Sequence, residues 1–483
     1  MSQKITDLEP KAVWKIFYEL TRIPRPSKKE GRAVQYVREF GERLALPTHV
    51  DTVGNVIIKK PATPGFEHLT GIVMQSHLDM VPQKNSDTSH DFEKDPIEAY
   101  VDGDWVKAKG TTLGSDNGIG VAAILAILES DALRHGPLEG LFTVDEETGM
   151  TGAFNLQPGL IDGKILINLD SEDEGELYIG CAGGMNTTGR LTFTREPVPS
   201  GVIAFKIGLT GLKGGHSGLD IHLGRGNSNK LLSRFMYDAG KRFRMRLAAI
   251  DGGSLRNAIP RESFAVVTIP ENYKTDFLRS VQEYQDLFRS EFGAVEPDLK
   301  FIASSADMPG FLIDQIAQEK LFKAVYGIPN GVIRMSTEMP GIVETSANLA
   351  IVKSGDETIE MMCLLRSSVD SAKDDLGIAI QSVMELAGAE VVHDGSYPGW
   401  KPDVNSPILS TMKKVYQNIS GKTPEVKVIH AGLECGIIGD VYKGLDMISF
   451  GPTIRFPHSP DEKVHIGSVG KFWKFLIETL KSI

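Results

Sequence analysis

Hydrophobic positions recur at helical spacing near the start of the chain: Val13, Ile16, Phe17 and Leu20 share one face, and Pro10 suits a first helical turn. A second helix is expected to open at Ser27, where Ser27 and Glu30 read as a capping box, and to run to about Leu44. Then the period changes. NVIIKK (55–60), GIVMQSH (71–77), LEGLFTVD (138–145) and KILINLD (164–170) read as strands, and NGIGVAAILAILES (117–130) as a buried helix. That alternation argues an α/β region on a largely parallel sheet.

After CAGG (181–184) the texture is α+β. Residues 202–212, 264–270 and 359–366 read as strands, and 227–240, 274–292 and 372–387 as amphipathic helices. A turn-rich seam falls at Tyr397-Pro398-Gly399-Trp400. A helix (about 405–419), the strand LDMISFG (445–451) and a last helix (about 467–482) then resemble the first section again. The pattern therefore predicts a discontinuous domain, 1–183 and 400–483, carrying an inserted domain at 184–399. Inside the insert, LRNAIPRESFAVVTIP (255–270) weakly resembles VETSANLAIVKSG (343–355), each with its own strand and helix, which suggests a doubled unit.

Composition narrows the class. At 483 residues two domains are expected. The formal charge is −11, with no Lys/Arg block, so nucleic acid is not an expected partner. No stretch approaches the ~18 apolar residues of a membrane span, and the N-terminus lacks an apolar signal core. Cys181, Cys363 and Cys435 are scattered, without a CxxC pair, as in a reducing compartment. A soluble cytoplasmic protein is the expectation.

Four acidic or histidine motifs follow predicted strands, where open α/β sheets place their sites: SHLDMV (76–81), GSDNG (114–118), VDEETG (144–149) and NLDSE (168–172). His77 and Asp79, two apart on a strand, point to one face, so Asp79 can orient a metal-bound imidazole; a surface His-Asp pair is the plain alternative. Asp116 precedes the buried helix and reads either as an N-cap or as a carboxylate bridging two cations. In Asp145-Glu146-Glu147 one Glu can ligate while its neighbour stays available as a base. Asp170 ends a strand too apolar for the surface. Two Zn²⁺ against Asp116, Glu147, Asp170 and a hydroxide make a neutral set, which a partly dry pocket tolerates. Of the 11 histidines, His458, in FGPTIRFPHSPDEKVHI after a returning strand, is the candidate for the second nitrogen ligand.

These spacings resemble the family of co-catalytic dizinc peptidases that includes carboxypeptidase G, aminoacylase, peptidase T and the carnosinases, and the resemblance runs from position 77 to 458. GLKGGHSG (211–218), SLRNAIP (254–260) and the long insert resemble its aminoacyl-histidine (Xaa-His) dipeptidase branch. The resemblance implies an α/β zinc-peptidase domain with a mostly parallel central sheet and an inserted α+β lid. It implies that His77 and Asp170 hold one metal, Glu147 and His458 the other, and that Asp116 bridges them through a cis Asp116–Asn117 peptide. Glu146 would be the general base, Asp79 the residue steadying His77, and His216 the oxyanion-stabilising histidine. Asn257 and Arg366 would grip the substrate's carboxylate, with Arg presenting a planar fork, and Gly432 would line the substrate site. Glu434 receives no role. The implied activity is hydrolysis of small peptides, Xaa-His dipeptides above all, with two zinc ions or with Co²⁺ or Mn²⁺ on the same N/O ligands. The alternatives are an N-acyl-amino-acid amidohydrolase and, more remotely, a non-catalytic metal-binding protein. A homodimer fits family members with a short lid. In this chain the doubled insert implies that His216 serves its own chain.

Overall fold

The computed structural model describes residues 4–483, so the first three positions of the expected 1–183 span lie outside the described residues. The chain forms two compact units, one of Met1–Gly180, Trp400–Val428 and Leu433–Ile483, the other of Cys181–Gly399 and Ile429–Gly432.

In the first unit, Leu138–Thr143, Ile72–His77, Ile165–Asn168 and Asp446–Ser449 run parallel side by side, with Val56–Lys60 antiparallel on the outside. The inner strands Ile72–His77 and Leu138–Thr143 are buried along their whole length, which is why they lack the apolar–polar alternation of a half-exposed strand. The helix Ser115–Glu129 is buried nearly all round, matching its lack of a polar face. It packs on the sheet and under the helix Lys11–Thr21, whose buried face is Val13, Trp14, Ile16, Phe17 and Leu20. Each such side chain, fully buried, contributes roughly 1.5–3 kcal/mol.

The predicted capping box at Ser27 is not formed. The helix begins at Gly31 and ends at Arg43. The Ser27 hydroxyl donates to Asp79 Oδ2 at 2.8 Å, and Glu30 Oε1 accepts from the backbone N–H groups of Lys28 and Asp145. Long-range acceptors and donors outbid the local cap, and both residues brace the loops that carry the site.

The second unit is one antiparallel sheet with helices, made of two βαββαβ halves. One half is Val202–Thr210, helix Ser228–Phe243, Arg246–Gly252, Ser263–Pro270, helix Lys274–Phe292 and Lys300–Ser305. The other is Gly183–Thr192, helix Gln315–Gly327, Val343–Ser354, Thr358–Ser367, helix Asp370–Leu386 and Glu390–Tyr397. Both order their strands 4-1-3-2, and they join through their second strands, Gly252 opposite Val352. The first half is inserted between the first strand and first helix of the other. The doubling is therefore present, but the suggested pairing is off by a strand: 263–270 is a third strand and corresponds to Thr358–Ser367, whereas Val343–Ser354 is a second strand. Apolar alternation is alike in both strands, so pattern alone could not register them. Cys181, Cys363 and Cys435 are all buried and form no disulfide.

Candidate active site

The carboxyl ends of the parallel strands deliver the expected residues to one place. His77 closes its strand at 1% exposure, and its Nδ1 lies 3.2 Å from Asp79 Oδ1. Asp79, fully buried, also accepts the backbone N–H groups of Glu146 at 3.0 Å and Glu147 at 3.2 Å. One carboxylate thus holds the acidic turn and stands beside the imidazole. Asp145 turns the chain there with φ +53°, and its carboxylate accepts from the Thr148 and Thr151 hydroxyls.

Asp116 does not cap its helix. The Asp116–Asn117 peptide is cis, and the two carboxylate oxygens face different partners. His77 Nε2 lies 3.2 Å from Asp116 Oδ1 and 3.2 Å from Asp170 Oδ1, while His458 Nε2 lies 3.3 Å from Asp116 Oδ2 and 3.0 Å from Glu147 Oε2. The groups His77–Asp116–Asp170 and Asp116–Glu147–His458 each offer ligand atoms within 4.8 Å of one another. Glu147 Oε1 is buried without a hydrogen-bond partner, so the set leaves an acceptor that a cation would use. Mixed imidazole and carboxylate donors suit Zn²⁺, Co²⁺ or Mn²⁺. The residues fit two divalent cations sharing Asp116.

The electrostatics agree. Burial raises Glu146 well above the ordinary carboxylate range, and repulsion from Asp170, Glu434 and Glu147 adds to it against the pull of His77. Burial likewise carries Asp170 up to about 6 and Glu172 up to about 8. Hydrogen bonds to Asp116 and Glu147 hold His458 up at about 11. Asp116 is pushed up by burial, but hydrogen bonds from His458 and His77 outweigh that and lower it. A pocket that retains protons on acids and imidazoles alike is short of positive charge.

His216, Asn257, Arg366 and Gly432 all belong to the second unit. His216 lies on the short strand Gly215–His216, paired with Ala258, and the Asn257 carbonyl accepts from Ser217 N–H at 2.8 Å. Arg366, 5% exposed on Thr358–Ser367, donates to Tyr397 Oη at 3.1 Å and lies 3.4 Å from both Ser217 Oγ and His216 Nε2. Gly432 ends the segment Ile429–Gly432, which is tied to the unit by the Ala182 N–H. The structure thus brings His216, Asn257 and Arg366 together. Among the described residues no carboxylate contacts the Arg366 guanidinium.

Four contributors escaped the sequence reading. Glu462 accepts from the backbone N–H groups of Leu113, Gly114, Ser115 and Asp116 and from the Ser115 hydroxyl, fixing the loop that aims Asp116. Its signal was available, four residues past His458 in PHSPDE. Arg25, 2% exposed, ties that loop to the strand after His77 through the carbonyls of Gly114, Leu78 and Asp79. Glu434, fully buried and pushed up to about 7 chiefly by burial, accepts from Gln75 at 2.6 Å and Thr143 at 2.8 Å. It locks two site strands together one turn of the pleat below His77 and Asp145. The fourth is His430, beside Arg366.

Known proteins resemble this chain along most of its length. Peptidase family M20/M25/M40 matches residues 73–482. The chain is 47% identical over 481 residues, 99% of both chains, to the cytosol non-specific dipeptidase of Escherichia coli K12. It superimposes with a TM-score of 0.96 on the aminoacylhistidine dipeptidase of Vibrio alginolyticus, at 47% identity, covering 100% of this chain and 98% of that one. The aminopeptidase PepT of Bacillus cereus shares the fold at 16% identity with a TM-score of 0.63, covering 98% of this chain and 99% of its own. With its motifs spread over both ends of the chain and matched along nearly its full length, the chain belongs to peptidase family M20/M25/M40.

Proposed function

We propose that the chain is a cytoplasmic dipeptidase that works with two zinc ions and prefers Xaa-His dipeptides. The observation that carries the reading is the division of Asp116: one oxygen beside His77 and Asp170, the other beside His458 and Glu147. The two relatives identical at 47% are named as dipeptidases, one a cytosol non-specific dipeptidase and the other an aminoacylhistidine dipeptidase. Among the described residues no helix is long and apolar enough to cross a membrane.

Two cations held by His77, Asp116, Asp170, Glu147 and His458 would supply a Lewis acid and an acidified water. Glu146, beside the ligands and raised by its buried setting, takes the water's proton and delivers it to the leaving amine. Asp79 fixes the His77 ring through Nδ1. His216, with Nε2 toward Arg366, donates to the developing oxyanion. Arg366 and Asn257 grip the substrate's carboxylate, with Gly432 lining the same site. In this reading the residues 184–399 form a lid on a catalytic domain of 1–183 and 400–483.

The test is a panel of β-Ala-His, Gly-His, Leu-Leu and N-acetyl-His with metal analysis of the pure protein. Cleavage of Xaa-His that is lost on metal removal and returns with zinc supports the proposal. Equal cleavage of Leu-Leu would make the enzyme a broad dipeptidase, the breadth in the Escherichia coli relative's name. Cleavage of N-acetyl-His alone would make it an amidohydrolase. The two nested βαββαβ halves support a lid complete within one chain, so that His216 serves its own metals rather than those of a homodimer partner. Co-refolding Glu146→Ala with His216→Ala separates the two: activity returns only if the histidine is shared between chains.

A further inference from the structure

The Arg366 guanidinium sits in an unusual company. It is 5% exposed, its polar neighbours are Tyr397, Ser217 and His216, and among the described residues no carboxylate answers its charge. His430 stands beside it at 7% exposure. The His430 carbonyl oxygen and Arg366 Cδ close on Gly218, where a Cβ would lie 1.9 Å from the one and 3.1 Å from the other, and Ser346, which holds the His430 ring, pairs with Arg366 across two strands. Only glycine at 218 allows that approach.

His430 is held by one nitrogen. Its Nε2 lies 2.7 Å from Ser346 Oγ, and Nδ1 makes no hydrogen bond among the described residues. Among the described residues the Ser346 hydroxyl has no other hydrogen-bond acceptor; with its proton given to Nε2, the ring's own proton stands on Nδ1. Burial, then Arg366, His216 and His222, push His430 down to about 3, so the ring is neutral in any working buffer. The block therefore holds one permanent cation and one neutral N–H donor, on residues 5% and 7% exposed and, among the described residues, without an anionic partner. Burying a cation in this way is costly unless an anion completes it.

We infer that His430, through Nδ1–H, is a specificity-determining residue that binds the free carboxylate of the substrate's C-terminal residue together with Arg366. This rests on the proposed role of Arg366. The neutral ring adds a directed donor without a second charge, so it discriminates a carboxylate from an amide by geometry while Arg366 does so by charge.

Asparagine and glutamine separate this from a structural role, because Asn places its amide N–H near the Nδ1 position and Gln reaches the Nε2 position. In the metal-loaded enzyme, His430→Gln keeps a partner for Ser346 and loses the Nδ1 donor. It should raise KM for free dipeptides about tenfold or more with kcat nearly unchanged, the worth of one hydrogen bond to a charged group. It should also shrink the preference for free over amidated dipeptides by the same factor. His430→Asn should stay within about threefold of wild type. The reverse order, with His430→Asn impaired and His430→Gln unaffected, would mean that His430 only buttresses Ser346, and the inference falls. Arg366→Met run in parallel tests the underlying reading: an unchanged KM there removes the role of Arg366 itself. A raised KM there beside an unchanged His430→Gln removes His430 alone.

Discussion

The two units treat the same side chain in opposite ways. In the first, His458 lies between Asp116 and Glu147 and is held up at about 11, and His77 is likewise raised well above its usual range, burial being outweighed by Asp170, Asp116 and Asp79. In the second, burial and the Arg366 charge press His430 down to about 3 and lower His216 too. One region gathers acids and is short of positive charge; the other buries a guanidinium and is short of negative charge. In the proposed reading each deficit calls for a ligand class, cations for the first and a carboxylate for the second. A histidine by itself says little, and its surroundings say nearly everything.

The sharpest way to break the comparison is inside the acidic cluster. If its acids were interchangeable, neighbouring substitutions would act alike. Glu146→Gln should lower kcat by about 10²–10⁴-fold, the usual worth of a general base, and keep both metals, whereas Glu147→Gln should lose metal. Kinetics with metal analysis after gel filtration checks this. Metal loss in Glu146→Gln to the same degree would make Glu146 a ligand.

The basic region has its own breaking point. Arg366→Met should raise KM for free dipeptides on the order of 10²-fold, since truncating one partner of a buried charge pair costs ~2–5 kcal/mol. The metal content should be unchanged. Wild-type turnover of dipeptide amides as fast as free dipeptides would show that no carboxylate is read.

The same contrast decides what could be read from the sequence. The parallel strands were legible because residues buried on both faces leave long apolar runs, and the acids that end them stand out against those runs. His77, Asp116, Glu147, Asp170 and His458 were all legible as candidate ligands. Glu462 and Arg25 were not, because their work is to accept or donate to backbone groups far away in sequence, and a carboxylate taking five hydrogen bonds from loop 113–116 looks like any surface acid. Ser27 and Glu30 show the converse: a sound local motif whose groups found distant partners. The nesting of the lid halves was hidden for another reason. Strand order is set by pairing between distant segments, and periodicity carries none of it.

Metal removal should then separate the two regions by stability. Cations bound only to the folded first unit stabilise it by about 2.7 kcal/mol at a free concentration a hundred times Kd. Stripping them should lower the melting temperature and loosen amide protection around residues 77, 116 and 170. Protection in the strands Thr358–Ser367 and Val343–Ser354 should persist. Uniform loss of protection across both sheets would mean that the units unfold as one, and the separate treatment of the two sites would lose its basis.

The smallest effect concerns acid. His430 has a folded pKa of about 3 against an ordinary 6.5, so below pH 6.5 the unfolded chain takes up a proton that the folded chain refuses. Its contribution to stability is therefore intact above pH 6.5 and is lost as pH falls toward 3. At pH 5 the loss comes to about 2 kcal/mol. Metal-free His458 runs the other way: with a folded pKa near 11 its contribution is complete below pH 6.5 and is lost as pH rises toward 11. His430→Asn cannot titrate, so its loss of stability between pH 7 and pH 5 should be smaller than wild type by about 2 kcal/mol. Thermal melts at the two pH values measure it. An identical drop in both proteins would show that His430 accepts its proton in the folded state, and that the basic region holds no neutral imidazole for a carboxylate to meet.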